Sequence, residues 1–124
     1  MRTDPVICIV DDDEVLRDGL LAFFKSAGIQ ALSFDSAEAM LDAQASTAVD
    51  CLVTDLQMSG MNGLMLIREL LARGNKVPTV LVTAYLTQQV RDAAASFGIT
   101  MVLEKPVDPE LLLGEIHALL DRAA

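Results

Sequence analysis

Five short apolar runs alternate with segments of helical periodicity along this chain of 124 residues. The runs span residues 6–10, 29–34, 51–54, 77–82 and 100–104, and such lengths are typical of buried strands. Between the runs, apolar residues recur three and four positions apart, first at Val15, Leu16, Leu20, Phe23, Phe24 and Ala27. Parallel strands need crossover segments of this kind, which are usually helices. The alternation therefore predicts an α/β fold, a single (βα)5 domain whose doubly wound, five-stranded parallel sheet lies between two layers of helices.

Residues that favour helix ends lie at the boundaries of the predicted helices. Asp13 and Ser36 are suited to cap the first and second helices, and the second should run to about Ala45. Thr87 opens the fourth helix, and Asp108, followed by a proline, begins the fifth. A glycine follows three of the helical segments, where a left-handed conformation is common, at Gly28, Gly74 and Gly98.

Chain length and composition limit the class of protein. A chain of this length fits one domain over positions 1–124. Although 52% of the residues are hydrophobic, no apolar run approaches the roughly 20 residues of a membrane span, and the N-terminus lacks a signal peptide's apolar stretch. We therefore expect a cytoplasmic protein without a membrane segment. The net charge of −9 argues against nucleic-acid binding by this chain, because phosphate backbones select for an excess of Lys and Arg.

The cysteines and the histidine do not form a recognisable site. Cys8 and Cys51 lie inside apolar runs, with neither CxxC spacing nor a cluster of histidines. The pattern favours buried, reduced thiols over a disulfide or a zinc site. The single histidine, His117, lies on the last predicted helix and is expected at the surface.

Polar side chains follow four of the five runs at the point where each run ends. Three consecutive acids, residues 11–13, follow the first run, and Asp55 follows the third. Thr83 ends the fourth run, and Lys105 comes directly after the fifth. The carboxyl ends of neighbouring parallel strands form the crevice in which open α/β folds bind ligands. Crowded carboxylates repel one another unless a cation neutralises them, so the pattern predicts a divalent metal and a lysine-paired anion, which suits phosphoryl transfer.

The motifs at these strand ends resemble the receiver domain of two-component response regulators, in the CheY-like superfamily. They are Val10-Asp11-Asp12-Asp13, Val53-Thr54-Asp55-Leu56-Gln57-Met58, Val80-Leu81-Val82-Thr83-Ala84 and Leu103-Glu104-Lys105-Pro106. The motifs are most similar to the FixJ-like branch, and the resemblance extends from Val6 to about Ala123. It implies the flavodoxin-like strand order 2-1-3-4-5.

The same resemblance implies a phosphorylation site. Asp55 would accept a phosphoryl group from a sensor histidine kinase in a reaction that requires Mg²⁺. Asp12, the Asp55 carboxylate and the backbone carbonyl of Gln57 would ligate the metal, and Asp11 would act through a water molecule. This set suits a hard cation that prefers oxygen ligands and keeps some of its waters.

Two further residues would act on the phosphoryl group. By the resemblance, Lys105 would stabilise its equatorial oxygens, directed into the site by a cis peptide bond to Pro106. The Thr83 hydroxyl would hydrogen-bond the attached phosphoryl group and so pull the following loop inward. We expect that movement to carry the ring of Tyr85 over the site, where it would shield the phosphoryl group from water.

Three residues depart from the pattern of the family. Val102 stands where an aromatic residue usually reports phosphorylation, and Ser59 replaces the usual proline of the loop after Asp55. Tyr85 occupies a variable position that tunes the lifetime of the phosphoryl group. These departures bear on the output of the switch and not on the acceptor site.

The leading hypothesis is a signalling module that catalyses only its own phosphorylation and dephosphorylation and thereby switches its protein contacts. The expected partners are the sensor kinase and a downstream protein or effector domain, with a phosphorylation-linked homodimer as a further form. The chain would be either a stand-alone regulator or the receiver of a longer protein, for which a helix-turn-helix effector is expected.

Two alternatives remain open. A degenerate receiver would keep the fold but bind partners independently of phosphorylation, which the departures at Val102 and Ser59 favour. A small aspartyl phosphatase of the haloacid dehalogenase type would use Asp11 and Asp13. Those enzymes need a hydroxyl at the position where this chain has Val15, and they carry a larger body with a cap.

Overall fold

Strands and helices alternate through the described part of the chain, as the sequence predicts. The computed structural model describes residues 5–43, 48–99 and 101–123. Within these residues the strands are β1 (Val6–Val10), β2 (Gln30–Phe34), β3 (Cys51–Asp55), β4 (Thr79–Thr83) and β5 (Met101–Glu104). The helices are α1 (Glu14–Ser26), α2 (Ala37–Ala43), α3 (Gly63–Ala72), α4 (Gln88–Ala95) and α5 (Pro109–Ala123).

The strands form one parallel sheet in the order β2-β1-β3-β4-β5. This order confirms the prediction 2-1-3-4-5 and places β3 between β1 and β4. Every residue of β3 and β4 is buried, which explains why both strands are continuous apolar runs. The registers Val10↔Thr54 and Asp55↔Val82 place the carboxyl ends of β1, β3 and β4 side by side.

Helices cover both faces of the sheet, and successive strand residues contribute to two separate cores. Cys8 and Val10 of β1 belong to the core that α2, α3 and α4 complete, with Met40, Leu66 and Ala94. Ile7 and Ile9 of the same strand belong to the core that α1 and α5 complete, with Phe24 and Ile116. This alternation follows from the two-residue period of a strand and confirms the doubly wound α/β fold.

The predicted capping residues accept hydrogen bonds from N–H groups of the first helical turn. They are Asp13 at α1, Ser36 at α2, Thr87 at α4 and Asp108 at α5. The glycines that follow α1, α3 and α4 are left-handed, with φ values of 75° at Gly28, 78° at Gly74 and 79° at Gly98. Short-range side-chain chemistry therefore determines where these helices begin and end.

Two strands begin later than predicted, and one helical residue lies outside the core. β2 begins at Gln30 and not at residue 29. β4 begins at Thr79 and not at residue 77, because Pro78 has no N–H group to contribute to the strand ladder. The Pro78 carbonyl nevertheless accepts a hydrogen bond from Leu52 N at 2.9 Å. Val15 shares the helical spacing of the core residues but is 82% exposed, so the apolar face of α1 begins at Leu16.

Two expectations fall on residues that the structure does not describe, the extension of α2 to Ala45 and the start of the fifth strand at Thr100. α2 is described as far as Ala43, and β5 from Met101 onward. Among the described residues, no helix combines the length and the apolar character that crossing a membrane requires.

Candidate functional site

The carboxyl ends of β1, β3, β4 and β5 bring polar side chains to one edge of the sheet. Asp11 follows β1 and Asp55 ends β3, and their exposed fractions are only 2% and 5%. Thr83 ends β4 and is fully buried, while the Lys105 side chain, directly after β5, is 24% exposed. The sheet order alone therefore places the predicted site residues next to one another.

Lys105 links the two buried carboxylates. Its Nζ atom lies 3.1 Å from Asp11 Oδ2 and 3.1 Å from Asp55 Oδ2. Burial lowers the pKa of Lys105, but the hydrogen bonds to Asp55 and Asp11 outweigh burial and leave this pKa above its ordinary value. The ammonium group is therefore charged at neutral pH. The peptide bond between Lys105 and Pro106 is cis, as the resemblance implies.

Main-chain and side-chain contacts hold the strand end that carries Asp11. Asp13 N donates to Asp11 Oδ1 at 2.9 Å, and Arg17 Nη1 donates to the Asp11 carbonyl oxygen at 2.7 Å. Burial raises the pKa of Asp11, and the hydrogen bonds from Asp13 N and Lys105 only partly oppose this effect. Negative charge at Asp11 is thus costly, and additional positive charge would favour it.

Three carboxylates lie close enough to share one cation. One oxygen from each of Asp11, Asp12 and Asp55 lies within 4.8 Å of the other two. Asp12 is exposed, so solvent ions have access to the cluster. The ammonium of Lys105 neutralises only part of the charge of three ionised acids. Oxygen donors with a net negative charge fit a hard divalent cation such as Mg²⁺.

The β3–α3 loop, residues 56–62, is packed tightly against Asp55. Gln57 N donates to Asp55 Oδ1 at 3.1 Å, which places the Gln57 peptide beside the carboxylate. Gly63 N donates to the Leu56 carbonyl oxygen at 3.0 Å and so closes the turn into α3. A Cβ atom at Gly63 would lie 2.5 Å from the Asp55 carbonyl oxygen, so only glycine fits at this position.

The hydroxyl group of Thr83 is hydrogen-bonded to the β4–α4 loop, residues 84–87. Thr83 Oγ1 donates to the Tyr85 carbonyl oxygen at 3.4 Å and accepts from Tyr85 N at 3.2 Å. Glu104 Oε2 accepts from Leu86 N at 2.8 Å and holds the same loop from β5. Tyr85 is 72% exposed, so its ring faces solvent in this conformation.

The structure brings together most of the residues that the sequence singles out. Asp11, Asp12, Asp55 and Lys105 form one cluster, and Gln57 is bonded directly to Asp55. The other predicted residues lie nearby or in the core: Thr83 at the end of the adjacent strand, Tyr85 in solvent and Val102 in the core beside α2, α3 and α4.

Sequence reasoning did not identify two carboxylates that bind the loops of the site. Glu104 holds the β4–α4 loop, and its position directly before Lys105 offers a signal for its role. Glu38, in the first turn of α2, accepts from Met61 N at 3.1 Å. That contact joins residues 23 positions apart, and nothing in the local sequence of α2 marks it.

Comparison with known proteins agrees with this geometry. A family model described as the response regulator receiver domain matches residues 7–117. The transcriptional regulatory protein FixJ of Azorhizobium caulinodans is 34% identical over 116 residues, covering 94% of this chain and 55% of that protein. FixJ of Bradyrhizobium diazoefficiens is 31% identical over 123 residues, covering 99% and 60%. The crystal structure of FixJ-N matches with a TM-score of 0.86 at 28% identity, covering 97% of this chain and 96% of that one.

The chain therefore belongs to the response regulator receiver domain family of two-component signal transduction. The matched residues include every strand end that carries the acidic cluster and its lysine. The chain spans little more than half the length of the curated relatives described above, at 55% and 60%.

Proposed function

We propose that this chain accepts a phosphoryl group on Asp55 from a sensor histidine kinase in a Mg²⁺-dependent reaction, and that residues 1–124 act as one receiver unit. The position of the Asp55 carboxylate carries the proposal. It is almost fully buried, lies 3.1 Å from Lys105 Nζ and belongs to the cluster with Asp11 and Asp12. An acceptor placed between an ammonium group and a cation-binding cluster is suited to receive an anionic group, because both charges neutralise it.

In the transfer, an oxygen of Asp55 attacks the phosphorus atom of a phosphohistidine on the kinase. The new P–O bond forms as the P–N bond breaks, and the departing imidazole nitrogen takes up a proton. Lys105 stabilises the negative charge on the equatorial oxygens of the phosphoryl group. The products are an acyl phosphate on Asp55 and a neutral histidine.

Asp12, Asp55, the backbone carbonyl of Gln57 and, through water, Asp11 are the residues that would hold Mg²⁺. When bound, the cation supplies charge neutralisation to the transferring phosphoryl group. Main-chain donors keep two of the carboxylates in fixed orientations, since Asp13 N binds Asp11 Oδ1 and Gln57 N binds Asp55 Oδ1. The contribution of the chain is thus to hold the donor oxygens at set separations.

The proposed switch begins when the Thr83 hydroxyl exchanges its Tyr85 partners for the phosphoryl group. Its present contacts with Tyr85, at 3.4 and 3.2 Å, are long for a hydroxyl group, so little is lost in the exchange. Movement of Thr83 shifts the β4–α4 loop and changes the surface that Tyr85 presents. We further propose that this ring then covers the site.

The changed surface is proposed to act on a downstream protein or effector domain, or on a second copy of the chain in a phosphorylation-linked homodimer. The FixJ relatives are transcriptional regulatory proteins and are longer than this chain, which supports an effector domain such as a helix-turn-helix as the target. With a net charge of −9, this chain would not itself bind nucleic acid. We place these events in the cytoplasm, where the chain would act as a switch and not as a turnover enzyme.

A phosphorylation-independent interaction module is the second candidate function. Val102 favours it. This buried residue of β5 pairs with Leu81 of β4, so β5 has no large ring at the position that could respond to a change at Thr83. A module of this kind would keep its partner contacts without any change at Asp55.

Incubation with Mg²⁺ and acetyl phosphate, followed by intact-mass measurement, tests the proposal. We expect a gain of one phosphoryl group, and no gain when the Mg²⁺ is chelated before the phospho-donor is added. An unchanged mass in excess phospho-donor contradicts the proposal and favours the phosphorylation-independent module. Repeated hydrolysis of a phosphoester without a stable phosphoprotein would instead favour the phosphatase alternative.

A further inference from the structure

Two carboxylates from different parts of the fold accept hydrogen bonds from the middle of the β3–α3 loop. Glu38 Oε2, on α2, accepts from Met61 N at 3.1 Å. Asp12 Oδ2, after β1, accepts from Ser59 N at the longer distance of 3.4 Å. The loop that follows Asp55 is therefore anchored by residues from two other parts of the fold.

Gly60, between these two anchors, lets the Glu38 carboxylate approach the main chain. Gly60 has a φ of 78°, and a Cβ atom there would lie 2.7 Å from Glu38 Oε2. The carboxylate thus fills the space that a side chain at position 60 would need. This close fit distinguishes Glu38 from a surface acid that merely lies near a loop.

The opposite end of the loop is the site itself. Gln57 N donates to Asp55 Oδ1 at 3.1 Å, and Gly63 N donates to the Leu56 carbonyl oxygen at 3.0 Å. Because one hydrogen bond, from Gly63 N to the Leu56 carbonyl oxygen, joins the two ends of this short loop, we expect a shift at Met61 to reach the peptides near Gln57. A fixed position of the Met61 main chain would therefore help to fix the Gln57 peptide, which binds the Asp55 carboxylate.

The two anchors are not equivalent when a cation binds. Asp12 is itself a proposed ligand, so a cation would compete with Ser59 N for its carboxylate, and the contact with Ser59 N is already long at 3.4 Å. Glu38 lies on α2, outside the cluster of three acids, so its carboxylate does not have to leave Met61 N to ligate a cation there. Glu38 then remains as the anchor of the loop.

We propose that Glu38 is a positioning residue for the acceptor site. It acts through the Met61 N–H group to hold the β3–α3 loop, and thereby the Gln57 peptide and the Asp55 carboxylate, in the arrangement that a divalent cation needs. The proposal rests on the function proposed above for Asp55. It assigns to α2 a direct part in metal affinity.

Three variants separate positioning from simple charge. Glu38→Ala removes both the hydrogen bond and the negative charge, whereas Glu38→Gln keeps an oxygen acceptor for Met61 N and removes only the charge. Asp42→Ala removes a charge from an exposed position on the same helix. Because Glu38 and Asp42 are both exposed, none of these changes disturbs the core.

Amide hydrogen exchange in the metal-free proteins tests the positioning directly. We expect Glu38→Ala to speed exchange at Met61 and also at Gln57, four residues away, while Glu38→Gln and Asp42→Ala retain the protection of the native chain. Unchanged exchange at Gln57 in Glu38→Ala would overturn the proposal, since the loop would then be ordered without Glu38.

Titration with Mg²⁺, followed by melting temperature, tests the consequence for metal affinity. We expect Glu38→Ala to weaken binding about fivefold, less than the roughly 10–100-fold loss typical of groups bonded directly to a ligand. Glu38→Gln and Asp42→Ala should stay within about twofold of the native chain, because they keep the Met61 contact. Equal weakening in Glu38→Ala and Glu38→Gln would assign the effect to charge and overturn positioning.

Amide exchange and Mg²⁺ titration, together with the phosphorylation assay, distinguish failure of this proposal from failure of the proposed function. A native chain that neither binds Mg²⁺ nor gains a phosphoryl group would refute the function of Asp55, and the metal role of Glu38 with it. A native chain that does both, together with a Glu38→Ala variant of unchanged affinity and exchange, would refute positioning alone.

Discussion

The neighbouring inner strands β3 and β4 have the same kinds of polar residue at both ends, yet among the described residues only their carboxyl ends adjoin an acidic cluster and a lysine. β3 is preceded by Asp50 and ends in Asp55, and β4 begins with Thr79 and ends in Thr83. At the amino end, Asp50 Oδ2 accepts from Val6 N at 2.7 Å and so ties β1 to the start of β3. Residue type and strand position are therefore not enough to define a site.

The two ends of these strands differ in the side chains that surround their polar residues. Thr79 Oγ1 donates to the Val77 carbonyl oxygen at 3.0 Å, beside a cavity of about 370 Å³ with mainly apolar walls, including Ile67, Leu70, Val77, Phe97 and Ile99. At the carboxyl end, an ammonium group and two further acids surround Asp55. Of the residues that the structure describes, Lys76 is the one charged residue that lines this cavity, so the cavity lacks the group of carboxylates that a divalent cation needs.

The amino end also holds a nucleophile that is kept unreactive. Cys51 follows Asp50 directly and is fully buried. Burial, with smaller contributions from Asp50 and Cys8, raises the pKa of the Cys51 thiol to about 12. The thiol therefore stays protonated at neutral pH, and the protonated form is a poor nucleophile.

Replacement of the aspartate at each end of β3 should show the largest difference between the two ends, measured as the gain of phosphoryl mass. Asp55→Asn keeps the shape of the side chain but removes the nucleophile, so the gain of phosphoryl mass should vanish completely. Asp50→Asn keeps an oxygen that can accept from Val6 N and should be phosphorylated as the native chain is. Stoichiometric phosphorylation of Asp55→Asn would show that the acceptor is another residue.

The response to Mg²⁺ is expected to depend on Asp12. Mg²⁺ at about 100 times its Kd should stabilise the native chain by roughly 2.7 kcal/mol and raise its Tm, because it binds only the folded arrangement. Asp12→Ala should abolish that rise and slightly stabilise the metal-free protein, since it relieves repulsion within the cluster. Thermal melting with and without Mg²⁺ measures both effects, with Asp50→Asn as the control. An unaltered rise in Asp12→Ala would eliminate Asp12 as a ligand.

Replacement of the threonines at the two ends of β4 should distinguish the effect of each hydroxyl group on stability from its effect on the proposed switch. Thr79→Val removes one hydrogen bond of a buried hydroxyl group and Thr83→Val removes two long ones, and each change should cost about 1 kcal/mol of unfolding free energy. Phosphorylation of the native chain and of Thr79→Val should change amide exchange at Tyr85 and Leu86. That change should be absent in Thr83→Val, and its persistence there would separate Thr83 from the switch.

The smallest expected effect concerns the lifetime of the phosphoryl group. Tyr85→Ala should shorten the half-life by about threefold, because in the proposed closed form the ring would exclude water without contacting the reacting atoms. Tyr85→Phe keeps the ring and should keep the native half-life. Decay of phosphoryl mass with time measures both, and an equal or slower decay in Tyr85→Ala would show that the ring stays in solvent, where it lies in this structure.

Patterns within single segments were sufficient to predict the strands, the helices and the α/β class, whereas the strand order 2-1-3-4-5 came from the family resemblance. The alternation of apolar runs with helical spacing, together with caps such as Asp13 and Ser36, follows from contacts within a few residues. The start of β4 was predicted two residues too early, because the apolar run includes Val77 and Pro78 although proline cannot complete the ladder. Val15 shares the helical spacing of the core residues and is nevertheless 82% exposed, because spacing alone does not show how much of a helix is covered by the rest of the fold.

The candidate site was predictable to the extent that it depends on strand ends. Asp11, Asp55 and Lys105 converge because parallel neighbouring strands bring their carboxyl ends together. Glu38 could not be predicted, because its contact with Met61 depends on how α2 packs beside the β3–α3 loop. Packing between elements far apart in sequence leaves no mark on either element alone.

The absence of a side chain at Gly63 has a mechanical consequence. The main chain at Asp55 and the first residue of α3 are in direct contact, with no space in which relative movement could be absorbed. α3 contains 10 residues and is about 15 Å long, and Ile67, Leu70 and Leu71 near its far end line the apolar cavity. A displacement of the Asp55 backbone would therefore press first on α3, the helix that also borders the apolar cavity at the amino end of the sheet.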